Sequence, residues 1–175
     1  IWNKSMILLI QSNLEENIIV IPALTGLGAP HWEPNVRGAI LGLTRNTSIA
    51  DIVKATLDSL AYQTLDLIES MKKDAKINLK EIRVDGGMIN NNSFVQSLAN
   101  ICRINIIKPS NIETTSLGVA YLAGMQVGII KNTEQIEDFW KAKKIFVPLT
   151  NKKENDLKVK KWKKGLRSII NLNIS

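Results

Sequence analysis

Cysteine and histidine each occur once in the 175 residues, as Cys102 and His31. A lone thiol can form no internal disulfide and suits a reducing compartment, so a cytoplasmic setting is expected. With no second soft ligand near either residue, a zinc-type metal site is not expected. A Cys–His catalytic pair would require His31 and Cys102 to meet, and nothing in the sequence brings them together. Cys102 reads instead as a small buried hydrophobe near a helix end. Long apolar runs are also lacking: Met6–Ile10 and Ile18–Ile21 are among the longest, far below the roughly 18 residues of a membrane-spanning helix. No basic segment followed by an apolar one opens the chain, so neither a secretory signal nor a membrane partner is expected. Internal repeats and low-complexity linkers are absent. What remains has the composition of an ordinary globular domain, 45% hydrophobic and 22% charged.

The net charge of +7 is unevenly placed. From Lys141 to Arg167 there are eleven Lys/Arg and only two acids, Glu154 and Asp156, and the rest of the chain is slightly acidic. Leu157, Val159, Trp162 and Leu166 interrupt the lysines at intervals that suit a helix with one apolar stripe. The lysines then form a solvated face, with a nucleic-acid or membrane surface as the weaker alternative. No nucleic-acid partner is expected.

Strand and helix signals alternate along the chain. The first residues, Ile1-Trp2 without a start methionine, read as a helix already under way, so the chain is expected to be a fragment. Ile18–Ile21 reads as a buried strand stopped by Pro22, and Gly38–Leu43 as a second. Between them lies a Gly- and Pro-rich loop, Thr25 to Pro34, expected to be pinned by a buried Trp32. Thr47 or Ser48 suits an N-cap, with Asp51 in the first turn of a helix running to about Lys72. Ile82–Val84 reads as strand, Ser93–Cys102 as helix and Ile104–Ile107 as strand ended by Pro109. Thr114–Val127 reads as a helix of small residues fit for close packing. Phe146–Leu149 reads as an extended element before the basic terminal helix. This alternation predicts an α/β layered domain with a partly parallel sheet.

Three segments carry candidate chemistry. In Val84-Asp85-Gly86-Gly87 an acidic residue at a strand end meets two glycines, which let a backbone approach a ligand without Cβ interference. The N–H groups of the following helix favour phosphate, and Asn90-Asn91-Asn92 offer amides to an adenine or a ribose hydroxyl. Alone, such a turn is as readily structural. The loop Gly26-Leu-Gly-Ala-Pro-His-Trp32 is shaped by two glycines and a proline. Glu113 to Gly124 opens a helix with hydroxyls that can cap it or hold phosphate.

Together the segments resemble one family. Gly38-x-Ile40-x-Gly42-Leu43, followed after seven residues by Asp51-Ile52-x-x-Ala55-Thr56-Leu57-Asp58, is similar to a signature of the FGGY carbohydrate kinases, with ten positions at set spacing. Within that family, Pro22 to Trp32 resembles the loop of the glycerol kinase branch. Arg37-Gly38-Ala39, Ala61-Tyr62-Gln63-Thr64, Val84–Gly87 and Glu113-Thr-Thr-x-Leu117-Gly118 extend the match from about Ile18 to Gly165.

The resemblance implies an actin-like, ribonuclease-H-like ATPase domain, a mixed sheet flanked by helices. It implies that residues 18–170 are the C-terminal, nucleotide-binding domain, and residues 1–17 the remnant of a preceding helix and linker. The N-terminal glycerol-binding domain, with the catalytic aspartate, is expected outside this chain, so no catalytic residue and no metal ligand is assigned within it. Gly86, Gly87, Met88 and Asn91 are implied as the nucleotide contacts, with the Met88 thioether able to pack on adenine. ATP with its Mg2+, and glycerol, are the implied ligands, and a homo-oligomer is expected for the full-length enzyme. The alternatives are another FGGY sugar kinase, or a truncated non-catalytic relic with weak nucleotide affinity.

Overall fold

The computed structural model describes residues 17–172. The helix remnant and linker expected over residues 1–17 therefore fall, but for Asn17, outside the described residues. Strand β1 (Ile19–Ile21) pairs antiparallel with β2 (Ala39–Leu41), Ile19 facing Leu41 and Ile21 facing Ala39. The intervening loop folds on itself: Leu27 N donates to Glu33 O at 2.8 Å, and Glu33 N to Leu27 O at 2.9 Å.

Helix α1 (Ile49–Ala75) is the longest element. Ser48 caps it in a capping box: Asp51 N donates to Ser48 Oγ at 3.2 Å and Ser48 N to Asp51 Oδ2 at 2.9 Å. Lys72 and Lys73 in the last turn oppose the negative end of the helix dipole, and Lys76 ends it in the left-handed region. A second sheet has the order β3-β4-β5. In it β3 (Glu81–Arg83) runs parallel to β4 (Asn105–Pro109), and β4 antiparallel to β5 (Ala142–Phe146). A 3-10 turn (Gly87–Asn90) and α2 (Asn92–Cys102) form the crossover from β3 to β4. The chain continues through α3 (Thr114–Gln126), α4 (Glu134–Phe139) and α5 (Lys152–Leu172).

Two apolar clusters hold these pieces together. The larger joins Ala61, Leu65 and Ile68 of α1 to Phe94, Val95, Leu98 and Ala99 of α2, Ile106 of β4 and Phe146 of β5. The smaller joins Ile21, Ala23, Leu27 and Val36 to Trp162 and Leu166 of α5. Tyr62 touches both, stacked on Trp162 with ring centroids 5.1 Å apart. Gly165 lets α5 sit close on the first sheet: a Cβ there would lie 3.2 Å from Ile19 Cδ1 and 3.3 Å from Leu41 Cδ1.

Several local expectations are corrected. Trp32 is 73% exposed, so it does not pin the Gly/Pro loop. His31 does that, its Nε2 lying 3.1 Å from buried Asp66 Oδ2. Leu157 is 62% exposed and lies off the buried face of α5, which runs through Asn155, Trp162, Gly165 and Leu166. The extended element expected at Phe146–Leu149 lies too far along the chain: β5 runs from Ala142 and ends at Phe146. Lys143 and Lys144 disguise this edge strand, as charged residues commonly do at a sheet edge. No residue of α3 is buried, but Gly124 does allow close packing: a Cβ there would lie 3.1 Å from Ile130 Cδ1. The short helix α4 had no signal strong enough to anticipate.

Trp162 fills the centre of the smaller cluster, so Trp162→Ala should cost about 3–5 kcal/mol, the usual loss for a buried aromatic. Urea unfolding measures this, and a loss below about 1 kcal/mol would contradict the packing. Burial pushes the Cys102 thiol up to about 12. The native protein at pH 8 should therefore resist a thiol reagent, and react fully only once denatured.

Candidate functional site

Where β3 ends, pairing with β4 continues one residue further, with Val84 N donating to Ile107 O at 3.1 Å. The chain then turns at Asp85 and Gly86. Gly86 has φ 84 and ψ 173, a conformation only glycine adopts without strain. The turn closes on itself through Ile89 N to Gly86 O at 3.3 Å and Asn91 N to Met88 O at 3.1 Å. Gly86 and Gly87 are exposed, and a Cβ built on either would meet nothing within 4 Å. At Gly87, then, neither packing nor a positive φ accounts for the missing side chain.

Asn91 is 2% exposed and is the N-cap of α2, its Oδ1 accepting from Ser93 N at 3.0 Å and Phe94 N at 3.1 Å. Its Nδ2 is buried and has no hydrogen-bond partner among the described residues. Buried amides rarely go unpaired, because the lost water costs about 1–3 kcal/mol. The same side chain thus caps α2 with its oxygen while its amide nitrogen faces the protein interior. Met88 is half-buried and packs against the larger core cluster. Asn90 and Asn92 are exposed.

The structure brings two of the three candidate segments together. Thr114 Oγ1 donates to Asp85 Oδ2, and Gly86 N to Ile112 O at 3.4 Å. The start of α3 is thereby fastened to the turn. Its hydroxyls do not cap the helix as expected: the N-cap is Glu113, which makes no side-chain cap bond. The third segment belongs elsewhere, since Leu27 packs in the smaller cluster and His31 binds Asp66 of α1. His31 and Cys102 do not meet; Cys102 Sγ lies 3.6 Å from Ala61 O. Among the described residues no group of three His, Cys, Asp or Glu could hold a metal ion.

One residue at the site carried no motif. Lys108 of β4 is 8% exposed, and its Nζ donates to Ile89 O at 2.7 Å, inside the turn. Burial lowers its pKa, and Lys143 and Lys144 push it the same way. A lysine amid Ile106, Ile107 and Pro109 was the available signal.

A cavity of about 590 Å3 lies apart from the turn, between α1, α2 and α5. Asn92 and Ser93 line it, but Gly86, Gly87, Met88 and Asn91 do not. Lys54 and Ser97 both bind Asp58 on its wall, so much of its polar surface is already satisfied.

The sequence matches the FGGY family of carbohydrate kinases, C-terminal domain, over residues 5–127. It is 45% identical over 152 residues to a glycerol kinase of Marinomonas sp. (strain MWYL1), covering 87% of this chain and 31% of that protein. A glycerol kinase of Pediococcus pentosaceus is 43% identical over 157 residues, covering 90% of this chain and again 31% of the relative. The chain thus spans roughly a third of the length of these curated relatives. Among solved structures, Plasmodium falciparum glycerol kinase with ADP superposes with a TM-score of 0.84 at 30% identity, over 95% of this chain and 33% of that one. A xylulose kinase from Lactobacillus acidophilus gives 0.80 at 24% identity over 99% of this chain and 35% of that one, a likeness of fold. The expected actin-like, ribonuclease-H-like α/β fold is therefore present, and the chain belongs to the FGGY family of carbohydrate kinases, matching its C-terminal domain.

Proposed function

We propose that this chain is the nucleotide-binding part of an ATP-dependent glycerol kinase, with residues 18–170 as its C-terminal domain. The observation that carries the proposal is the turn from Gly86 to Asn91, where a sterically open glycine lies four residues before a buried amide without a partner among the described residues. An adenine nucleotide fits that turn. Its phosphates approach the bare backbone at Gly87, and Asn91, with its amide nitrogen sealed inside, fixes the start of α2 beneath the ligand. Met88, anchored in the core, would set one wall. The glycerol kinases among its relatives, and the ADP-bound one among the solved structures, support both nucleotide and substrate.

In-line phosphoryl transfer depends on positioning and on neutralising charge, to which Mg2+ bound with the nucleotide contributes. The residues of this chain hold the nucleotide. The base that takes the glycerol proton, and the groups that hold glycerol, come from sequence beyond it, in a cytoplasmic homo-oligomer. Half of such a cleft cannot align the hydroxyl with the γ-phosphate.

The full-length gene product should phosphorylate glycerol with ATP and leave xylulose and gluconate largely untouched, whereas the 175-residue chain alone should show no turnover. A coupled ADP-release assay checks both; preference for xylulose would overturn the substrate, and turnover by the chain alone would overturn the division of labour. Gly87→Val should leave stability within about 0.5 kcal/mol, as for surface positions without special contacts. It should weaken ADP binding by about tenfold or more, the scale of one charge-assisted hydrogen bond, as read by isothermal titration.

A further inference from the structure

Lys108 occupies surroundings in which a charged side chain is strongly disfavoured. It lies in the central strand of the three-stranded sheet, in register opposite Lys144, and its strand neighbours Ile106 and Ile107 are buried. No carboxylate pairs with it among the described residues; the one bond its ammonium makes there is to Ile89 O at 2.7 Å. That carbonyl belongs to a buried residue of the turn, so some donor is needed. A neutral donor would serve. The full charge is what hydrogen-bonding leaves unexplained, since a buried ammonium without a counter-ion is strongly disfavoured. Lys143 and Lys144 on β5 add positive charge nearby, and Lys144 is engaged with the Phe146 ring at 4.5 Å.

We propose that Lys108 is a positioning residue for the nucleotide, drawing the Ile89 carbonyl inward from behind the turn and giving the site a buried positive charge that a polyphosphate neutralises. This rests on the turn being the nucleotide site. Ile89 is buried while Gly86 and Gly87 are exposed, so the ammonium approaches the turn from its inner side. The pull on one carbonyl fixes the backbone whose N–H groups remain outside. The charge acts through low-dielectric protein, where screening by salt is weak. The anion that completes the site is therefore the ligand's own phosphate.

The decisive variants are Lys108→Gln, which retains a donor for Ile89 O but removes the charge, and Lys108→Arg, which retains the charge. In the full-length product, Lys108→Gln should weaken ADP binding by about tenfold, on the scale of a charge-assisted contact, with KM for ATP rising in parallel. Adenosine affinity and KM for glycerol should change by less than about twofold, because neither ligand carries the charge being neutralised. Lys108→Arg should bind ADP within about threefold of the native protein. A purely structural lysine would give the opposite pattern, with ADP and adenosine weakened together, and that result overturns the proposal. So does native ADP affinity in Lys108→Gln, or an Arg variant that folds but binds ADP about tenfold more weakly. Gly87→Val separates the two levels. If it binds ADP normally, the turn is not the nucleotide site and both proposals fall. If it binds weakly while Lys108→Gln does not, only the role of Lys108 falls.

Discussion

One buried carboxylate ties together three elements that the sequence keeps far apart. Asp66 lies on α1 and is 7% exposed. Its Oδ2 accepts from Trp162 Nε1 of α5 at 3.3 Å and lies 3.1 Å from Nε2 of His31, in the loop between β1 and β2. A carboxylate only accepts, so His31 presents Nε2–H to it. Removing the carboxylate would leave the buried Trp162 Nε1–H unpaired and release the half-buried His31, which is why such a node constrains more than its two bonds suggest. It also fixes where Trp162 stacks on Tyr62, and Tyr62 is the side chain shared by both apolar clusters.

The candidate site inherits its position from that arrangement. α1 holds α2 through Ala61, Leu65 and Ile68 against Phe94, Val95 and Leu98. The Asn91 cap then sets where α2 begins, and the turn spans the short gap back to β3. Lys108 braces the turn from behind and Thr114 from the side. A nucleotide would meet a surface assembled from backbone, held by groups that themselves stay out of its way.

Much of this was legible in the sequence, and the exceptions have physical reasons. An N-cap at Thr47 or Ser48 with Asp51 in the first turn, and the Gly86-Gly87 turn, follow from local rules, and the strand-helix-strand alternation pointed to a partly parallel sheet. Trp32 misled because bulk suggests burial, whereas the loop is held by a polar bond to a residue 35 positions away. Of the expected stripe on α5, Trp162 and Leu166 are buried as read, and only Leu157 misled, because the buried face starts from Asn155 rather than from the apolar residue two positions on. β5 was hidden by its lysines. Lys108 was invisible as a site residue because its meaning lies in a carbonyl 19 residues earlier. Asn91 serves as the cap of α2, which the run Asn90-Asn91-Asn92 before a helix also suggested.

The central claim is that the turn from Gly86 to Asn91 receives an adenine nucleotide, and amide NMR of the isotope-labelled chain titrated with ADP tests it most directly. The account predicts saturable shifts at the backbone amides of Gly86 and Gly87, with smaller changes at the Asn91 side-chain NH2 and through Ile89 and the start of α2. Shifts confined to the cavity wall at Asp58, Ser97 and Asn155, or a turn left unmoved at saturating ADP, would contradict it.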